Sequence, residues 1–145
     1  MKIYSKIEED TLLHLVTRLS EVESAEMEYP KLARVDIAPE DQFLQVAILR
    51  MDTGRTFRPH KHIFKEGPEK VIAQESWVVI KGRVKVFFYD LDDTIIQEEI
   101  LEAGDFSMTF RGGHNYEALE DDTQVYEYKT GPYLGVEKDK EFISN

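Results

Sequence analysis

The sequence predicts a single all-β domain, a sandwich or small barrel, with one short helix in front of it. Three observations lead there. From Gln42 onward, about seven or eight short apolar and β-branched segments recur at regular spacing, each closed by a turn composition. Only one stretch, near the N-terminus, carries a helical apolar period. The chain has 145 residues, enough for one core and well below the ~250 at which chains divide into domains.

Between Glu8 and Val22, the residues Leu12, Leu13, Leu15, Val16, Leu19 and Val22 recur at mixed three- and four-residue spacings, which predicts a short amphipathic helix. Ser24 to Pro39 holds two prolines and many charges and reads as a connection, with one short strand at Ala33 to Ile37. Phe43 to Met51 is a strand, Asp52-Thr53-Gly54 a turn, and Arg55 to His62 a second extended piece that Pro59 assigns to an edge or a strand end. Further strands are expected at Val71 to Lys81, Arg83 to Tyr89, Thr94 to Leu101, Phe106 to Phe110, Tyr116 to Leu119 and Gln124 to Lys129. Gly82, Asp90 to Asp93, Ala103-Gly104, Gly112-Gly113 and Glu120 to Asp122 separate them. The chain thus divides into a helix and arm over 1–40, a barrel over 41–131 and a tail over 132–145. In that tail the alternating charges of Glu137 to Glu141 predict a solvated segment. Val78 to Ile80 and Val84 to Tyr89 are apolar on both faces, so the helix or a second subunit should cover one of them, and a homodimer is the expected assembly.

Charge and cysteine content exclude several function classes. There are 29 acidic against 18 basic residues, a net charge of −11. The cations are scattered, which excludes nucleic acid and anionic lipid surfaces as partners. With no cysteine, disulfides and thiolate metal sites are absent, and any metal must be held by His, Asp or Glu. Met1 to Asp10 has no apolar stretch of signal-peptide length, so a cytoplasmic protein is expected. There is no Gly-x-Ser-x-Gly elbow, phosphate-cradling glycine loop, His-Glu-x-x-His or dinucleotide fingerprint.

The histidines carry the chemistry. His60 and His62 are two apart in an extended segment, so both side chains point to the same face while Lys61 faces away. His114 lies in a later strand region, whereas His14 falls in the expected helix as a surface or packing residue.

The ordered series Gly54, His60, His62, Glu75 and Gly82, with five residues between Gly54 and His60 and six between Glu75 and Gly82, resembles the first motif of the cupin family. Gly104 to His114 resembles the second. The resemblance covers residues 43 to 130 and implies a double-stranded β-helix, the jelly-roll barrel, in which His60, His62, Glu75 and His114 ligate one divalent ion. Two departures are visible. Residues 63–74 lengthen the first motif into a hairpin loop of a size that could act as a lid, and Gln74 and Glu69 compete with Glu75 for the carboxylate position. Glu75 keeps the spacing to Gly82 and shares its face with Trp77 and Val79. In the second motif Phe110 stands where a proline is usual, and the histidine comes one residue early. The resulting Gly112-Gly113-His114 turn, and the segment Glu127 to Tyr133 with its Gly131-Pro132-Tyr133, resemble cupin proteins of bacterial cell-surface polysaccharide pathways.

Three imidazoles and a carboxylate suit Zn, Fe, Ni, Mn or Cu, with positions left for water or substrate. Without a metal, the histidines could serve as acid–base groups. Arg58 shares the strand phase of His60 and is a candidate substrate contact, the alternative being an exposed strand-end arginine. Tyr116 is the other candidate contact, although Trp77, Phe87, Phe88, Phe106, Phe110 and Tyr116 are as a group core residues of which a few line any pocket. Glu127 and Lys129 share one face of the last strand and are the candidate catalytic pair if that face points inward; otherwise Tyr126 and Tyr128 line the cavity. The resemblance implies a metal-dependent isomerase or epimerase acting on a sugar or sugar-nucleotide. An iron-dependent dioxygenase and a non-catalytic small-molecule-binding module are the alternatives.

Overall fold

The computed structural model describes residues 1–20, 26 and 31–144. The strands, in chain order, are β1 (Lys2–Tyr4), β2 (Leu12–Leu15), β3 (Leu32–Asp36), β4 (Leu44–Met51), β5 (His60–His62) and β6 (Glu75–Lys81). They continue with β7 (Arg83–Tyr89), β8 (Ile95–Glu102), β9 (Phe106–Thr109), β10 (Gly113–Ala118), β11 (Thr123–Thr130) and β12 (Lys140–Phe142), with a single turn of helix, α1 (Val136–Asp139), before the last. Two five-stranded antiparallel sheets, ordered β12-β5-β10-β7-β8 and β3-β4-β11-β6-β9, face each other as a jelly roll. Among the described residues, no helix is long and apolar enough to cross a membrane.

Strand alternation builds the interior. Glu75, Trp77 and Val79 of β6 point in, as do His114, Tyr116 and Ala118 of β10, and Val125, Glu127 and Lys129 of β11. Pairing aligns these sets: Glu75 opposes Lys129, Trp77 opposes Glu127 and Val79 opposes Val125, while His114 opposes His60 across β10 and β5. Each strand therefore grades from apolar at one end to polar at the other. Val79, Val84, Val86, Ala118 and Val125 fill one end with Leu49 and Met51, each buried aliphatic side chain contributing about 1.5–3 kcal/mol. At the other end the same inward face presents histidines and carboxylates.

Both ends of the chain differ from expectation. Leu12 to Leu15 form a strand, paired with Lys2 to Tyr4 in a separate two-stranded hairpin, rather than the middle of a helix. Leucines at 12, 13 and 15 satisfy a strand as readily as one helical turn, and Ile3 and Tyr4 supply a nearby antiparallel partner. Leu19 and Ser20 are helical, and the remainder of the expected helix, 21 and 22, lies outside the described residues. The tail is not a solvated segment. Lys140 to Phe142 extend the first sheet beyond β5, and the Asp139 side chain is fully buried.

Candidate metal centre

His60, His62, Glu75 and His114 come from β5, β6 and β10, and one ligand atom from each lies within 4.8 Å of the others. All four side chains are buried. Of the three residues competing for the carboxylate position, Glu75 is the one in the group; Gln74 and Glu69 are exposed. The glycine pair before His114 has a packing reason. Gly112 holds a φ of +84°, and a Cβ on Gly113 would run into Ile143, with the Tyr89 side chain and the His60 carbonyl close behind. The backbone of β10 can thus approach β5 closely enough to bring the rings of His60 and His114 to 4.6 Å.

The ring nitrogens are sorted by their partners. His60 Nδ1 faces the Arg58 carbonyl at 3.1 Å, which turns Nε2 toward the other three residues. His62 Nδ1 faces Asp139, 3.2 Å from its carbonyl and 3.3 Å from its carboxylate, while Nε2 lies 3.1 Å from Glu75 Oε2. An imidazole held in this way by a carbonyl or carboxylate on one nitrogen presents the other as a ligand in a fixed orientation. His114 has neither ring nitrogen in a hydrogen bond although both are buried; its Nε2 is 3.2 Å from Glu75 Oε1. Such an orphaned polar group costs ~1–3 kcal/mol, and a cation among the four residues would take up the nitrogen that faces Glu75. The residues present therefore fit a divalent metal.

Electrostatics favour the ligating forms of His60 and Glu75, and the protonated form of His62 until a cation displaces its proton. Burial, with the charges of His114 and Lys140, pushes His60 down to about 3, so its imidazole is neutral. Burial opposes charge on Glu75, but His114 and His62 outweigh it and hold the carboxyl well below its ordinary range. Burial also opposes charge on His62, yet its hydrogen bonds to Asp139 and Glu75 raise it above the usual histidine value.

A cavity of about 250 Å³ opens beside this group, lined among others by His60, Glu75, Trp77, Tyr116, Glu127, Lys129, Tyr133, Lys140 and Arg34. Glu127 and Lys129 point inward, and Tyr128 outward. Arg34 donates to both Glu127 oxygens, at 2.8 and 3.2 Å. Lys129 Nζ sits 3.0 Å from Asp139 and 4.7 Å from the centre of the Tyr133 ring, which follows a cis Gly131–Pro132 peptide. Tyr116 is buried and stacked on Trp77 at 4.0 Å, with its hydroxyl 2.9 Å from Ser107 Oγ. Arg58 is not brought to the cavity; it is exposed and lies over the Phe142 ring at 4.3 Å. The cavity's guanidinium is Arg34, from the strand that sequence reading treated as part of the arm. Arg34, Lys140 and Asp139 were all missed. The visible signal was the alternation Leu32-Arg34-Asp36, which places Arg34 in phase with an inward position. Residues 63–74 form a hairpin pinned by a Phe64–Ile72 bridge and a 2.7 Å bond from Lys65 Nζ to the Pro132 carbonyl; none of them lines the cavity, so they do not cover it as a lid.

Trp77 is the single tryptophan, and its Nε1 donates to Glu75 Oε1 at 3.1 Å. Adding nickel to chelator-treated protein is expected to quench its emission in proportion to site occupancy. Unchanged emission where calorimetry records nickel uptake would place the metal elsewhere.

The sequence matches no family model and no curated protein. Solved structures do match in fold. KdgF from Halomonas sp. superposes with a TM-score of 0.58 at 19% identity, over 74% of this chain and 84% of that one. The capsular polysaccharide assembling protein CapF from Staphylococcus aureus gives 0.67 at 17% identity, over 83% of this chain but 34% of CapF. An oxalate decarboxylase variant from B. subtilis gives 0.62 at 15% identity, over 83% of this chain and 31% of the enzyme. The chain thus spans about a third of the latter two proteins. The shared architecture is the cupin fold, and the two-sheet jelly roll with its buried His-His-Glu-His group is that fold in this chain.

Proposed function

We propose that the protein is a metal-dependent enzyme that isomerises a small polar metabolite of the sugar type, with one divalent ion drawn from Zn, Fe, Ni or Mn. The observation that carries this reading is that the His60, His62, Glu75 and His114 group does not close on itself. It opens onto a cavity whose wall holds Glu127 and Lys129, each fixed by a partner of opposite charge. A bound ion supplies Lewis-acid polarisation of a substrate oxygen. Glu127, oriented by the Arg34 fork, is the group placed to take a proton from carbon, and Lys129, held by Asp139, the group placed to return one. Their position two residues apart on one face of β11 favours transfer between adjacent substrate atoms over exchange across opposite faces of one carbon, hence isomerisation over epimerisation. Similarity to CapF, described as a capsular polysaccharide assembling protein, supports a sugar as substrate.

Solvent deuterium exchange into a panel of aldoses, ketoses and sugar acids tests the proposal. Metal-loaded protein is expected to exchange at least one of them and chelated protein none, with Glu127→Gln slower by ~10²–10⁴-fold. Exchange that survives chelation overturns it. Turnover that stops without oxygen identifies a dioxygenase instead, and binding without turnover a non-catalytic module.

A further inference from the structure

The reaction above leaves one cation of the cavity unused, and we propose that this group, Lys140, anchors a carboxylate on the substrate. The proposal rests on the metal-dependent reading and narrows its substrate to small hydroxy- or keto-acids.

Three cations line the cavity. Arg34 is committed to Glu127 and Asp36, and Lys129 to Asp139. Lys140, half-buried on β12, is in no ion pair among the described residues; its hydrogen-bond partner is the His60 ring, with Nζ 3.4 Å from Nε2. That nitrogen is the one His60 turns toward the other three residues, because Nδ1 already faces the Arg58 carbonyl. A cation taken up there needs the same lone pair. Lys140 then loses its partner and gains a like charge as neighbour, a repulsion that is strong at short range in a partly desolvated site. An anion lying between the centre and Nζ removes both penalties at once. The ion and Lys140 thus form a two-point site for a negative group, and neither point is satisfied by the protein itself.

Size and charge set the class of ligand. A cavity of about 250 Å³ falls below the ~300–1,000 Å³ that encloses drug-sized ligands, so a sugar acid fits where a sugar-nucleotide does not. One uncommitted ammonium matches one carboxylate. Phosphate dianions are gripped by arginine forks or helix N-termini, and Arg34, the arginine among the described lining residues, already holds Glu127.

Calorimetric titration of zinc-loaded protein with D-glucuronate, and with D-glucose as the ring lacking the carboxylate, tests this without any turnover assay. Wild-type protein is expected to bind glucuronate at least about tenfold more tightly than glucose. Lys140→Met should abolish that preference while taking up one zinc per chain, and taking it up several-fold more tightly than wild type, because a like charge has gone. Lys140→Arg, which keeps the charge, should keep the preference, and Lys140→Gln repeats the measurement if the methionine variant does not fold. Equal binding of the two sugars by zinc-loaded wild type, an undiminished preference without the lysine charge, or weaker zinc binding by Lys140→Met each overturns the anchor and leaves the metal-dependent reaction standing. A wild-type protein that takes up no zinc, iron, nickel or manganese brings down that reaction and the anchor with it.

Discussion

His114→Leu protein is expected to melt at the same temperature in chelator and in metal, whereas wild type should be far more stable in metal. In chelator the leucine removes a buried ring that makes no hydrogen bond, but also the imidazole that lies 3.2 Å from Glu75 Oε1 and holds that buried carboxylate charged, so no gain is expected there. The contrast between the two proteins comes with the cation. Metal at a thousandfold excess over its dissociation constant stabilises the wild type by about 4 kcal/mol, on the order of 10 °C for a chain of this length. The leucine variant lacks a ligand and should show none of that gain. Melting curves of both proteins in chelator and in zinc, with elemental analysis of each, decide the matter. A wild-type melting temperature indifferent to chelator would remove the group from any metal role, and full metal content in His114→Leu would remove His114 from the ligand set.

The sequence points to this centre through the resemblance of Gly54 to Gly82 and of Gly104 to His114 to the cupin motifs, and strand geometry explains why those spacings bring the residues together. His60 and His62 share a face because strand side chains alternate, and Glu75 shares one with Trp77 and Val79 for the same reason. The punctuation by Gly82, Gly104 and Gly112-Gly113 sets the strand ends that bring these faces into register. Other parts were illegible for equally physical reasons. Leu12, Leu13 and Leu15 fit two periodicities over so short a span, and their antiparallel partner, Lys2 to Tyr4, carries little apolar signal. Arg34 and Lys140 sit outside the segment that carries the motifs, and their inward direction comes from pairing with β4 and β5, a tertiary fact. Asp139 looked solvated because charged neighbours flank it in sequence. Its ammonium partners are Lys129, across the turn that follows β11, and Lys65, in the distant hairpin after β5.

Asp139→Ala is expected to cost both stability and metal affinity, and Asp139→Asn should separate the two. The carboxylate is fully buried, 3.0 Å from Lys129 Nζ, 3.6 Å from Lys65 Nζ and 3.3 Å from His62 Nδ1. Burial alone would raise its pKa, but His62 and Lys129 overcome that and hold it well below the ordinary carboxylate range, so it is the anion at the centre of a buried cluster. Removing one partner of such a cluster leaves the remaining charges uncompensated, at a cost of about 3–5 kcal/mol. Its loss also frees His62 to turn, and supporting residues of this kind contribute ~10–100-fold to metal affinity. Asparagine keeps an oxygen facing His62 Nδ1 while giving up the charge facing the two lysines. It should therefore recover most of the metal affinity and little of the stability, as read by competitive zinc titration and urea unfolding. Equal losses in both measurements for both variants would mean that Asp139 acts on His62 only through the integrity of the fold. Unchanged zinc affinity in Asp139→Ala would mean that the 3.2 Å contact from the His62 ring to the Asp139 backbone carbonyl orients it unaided.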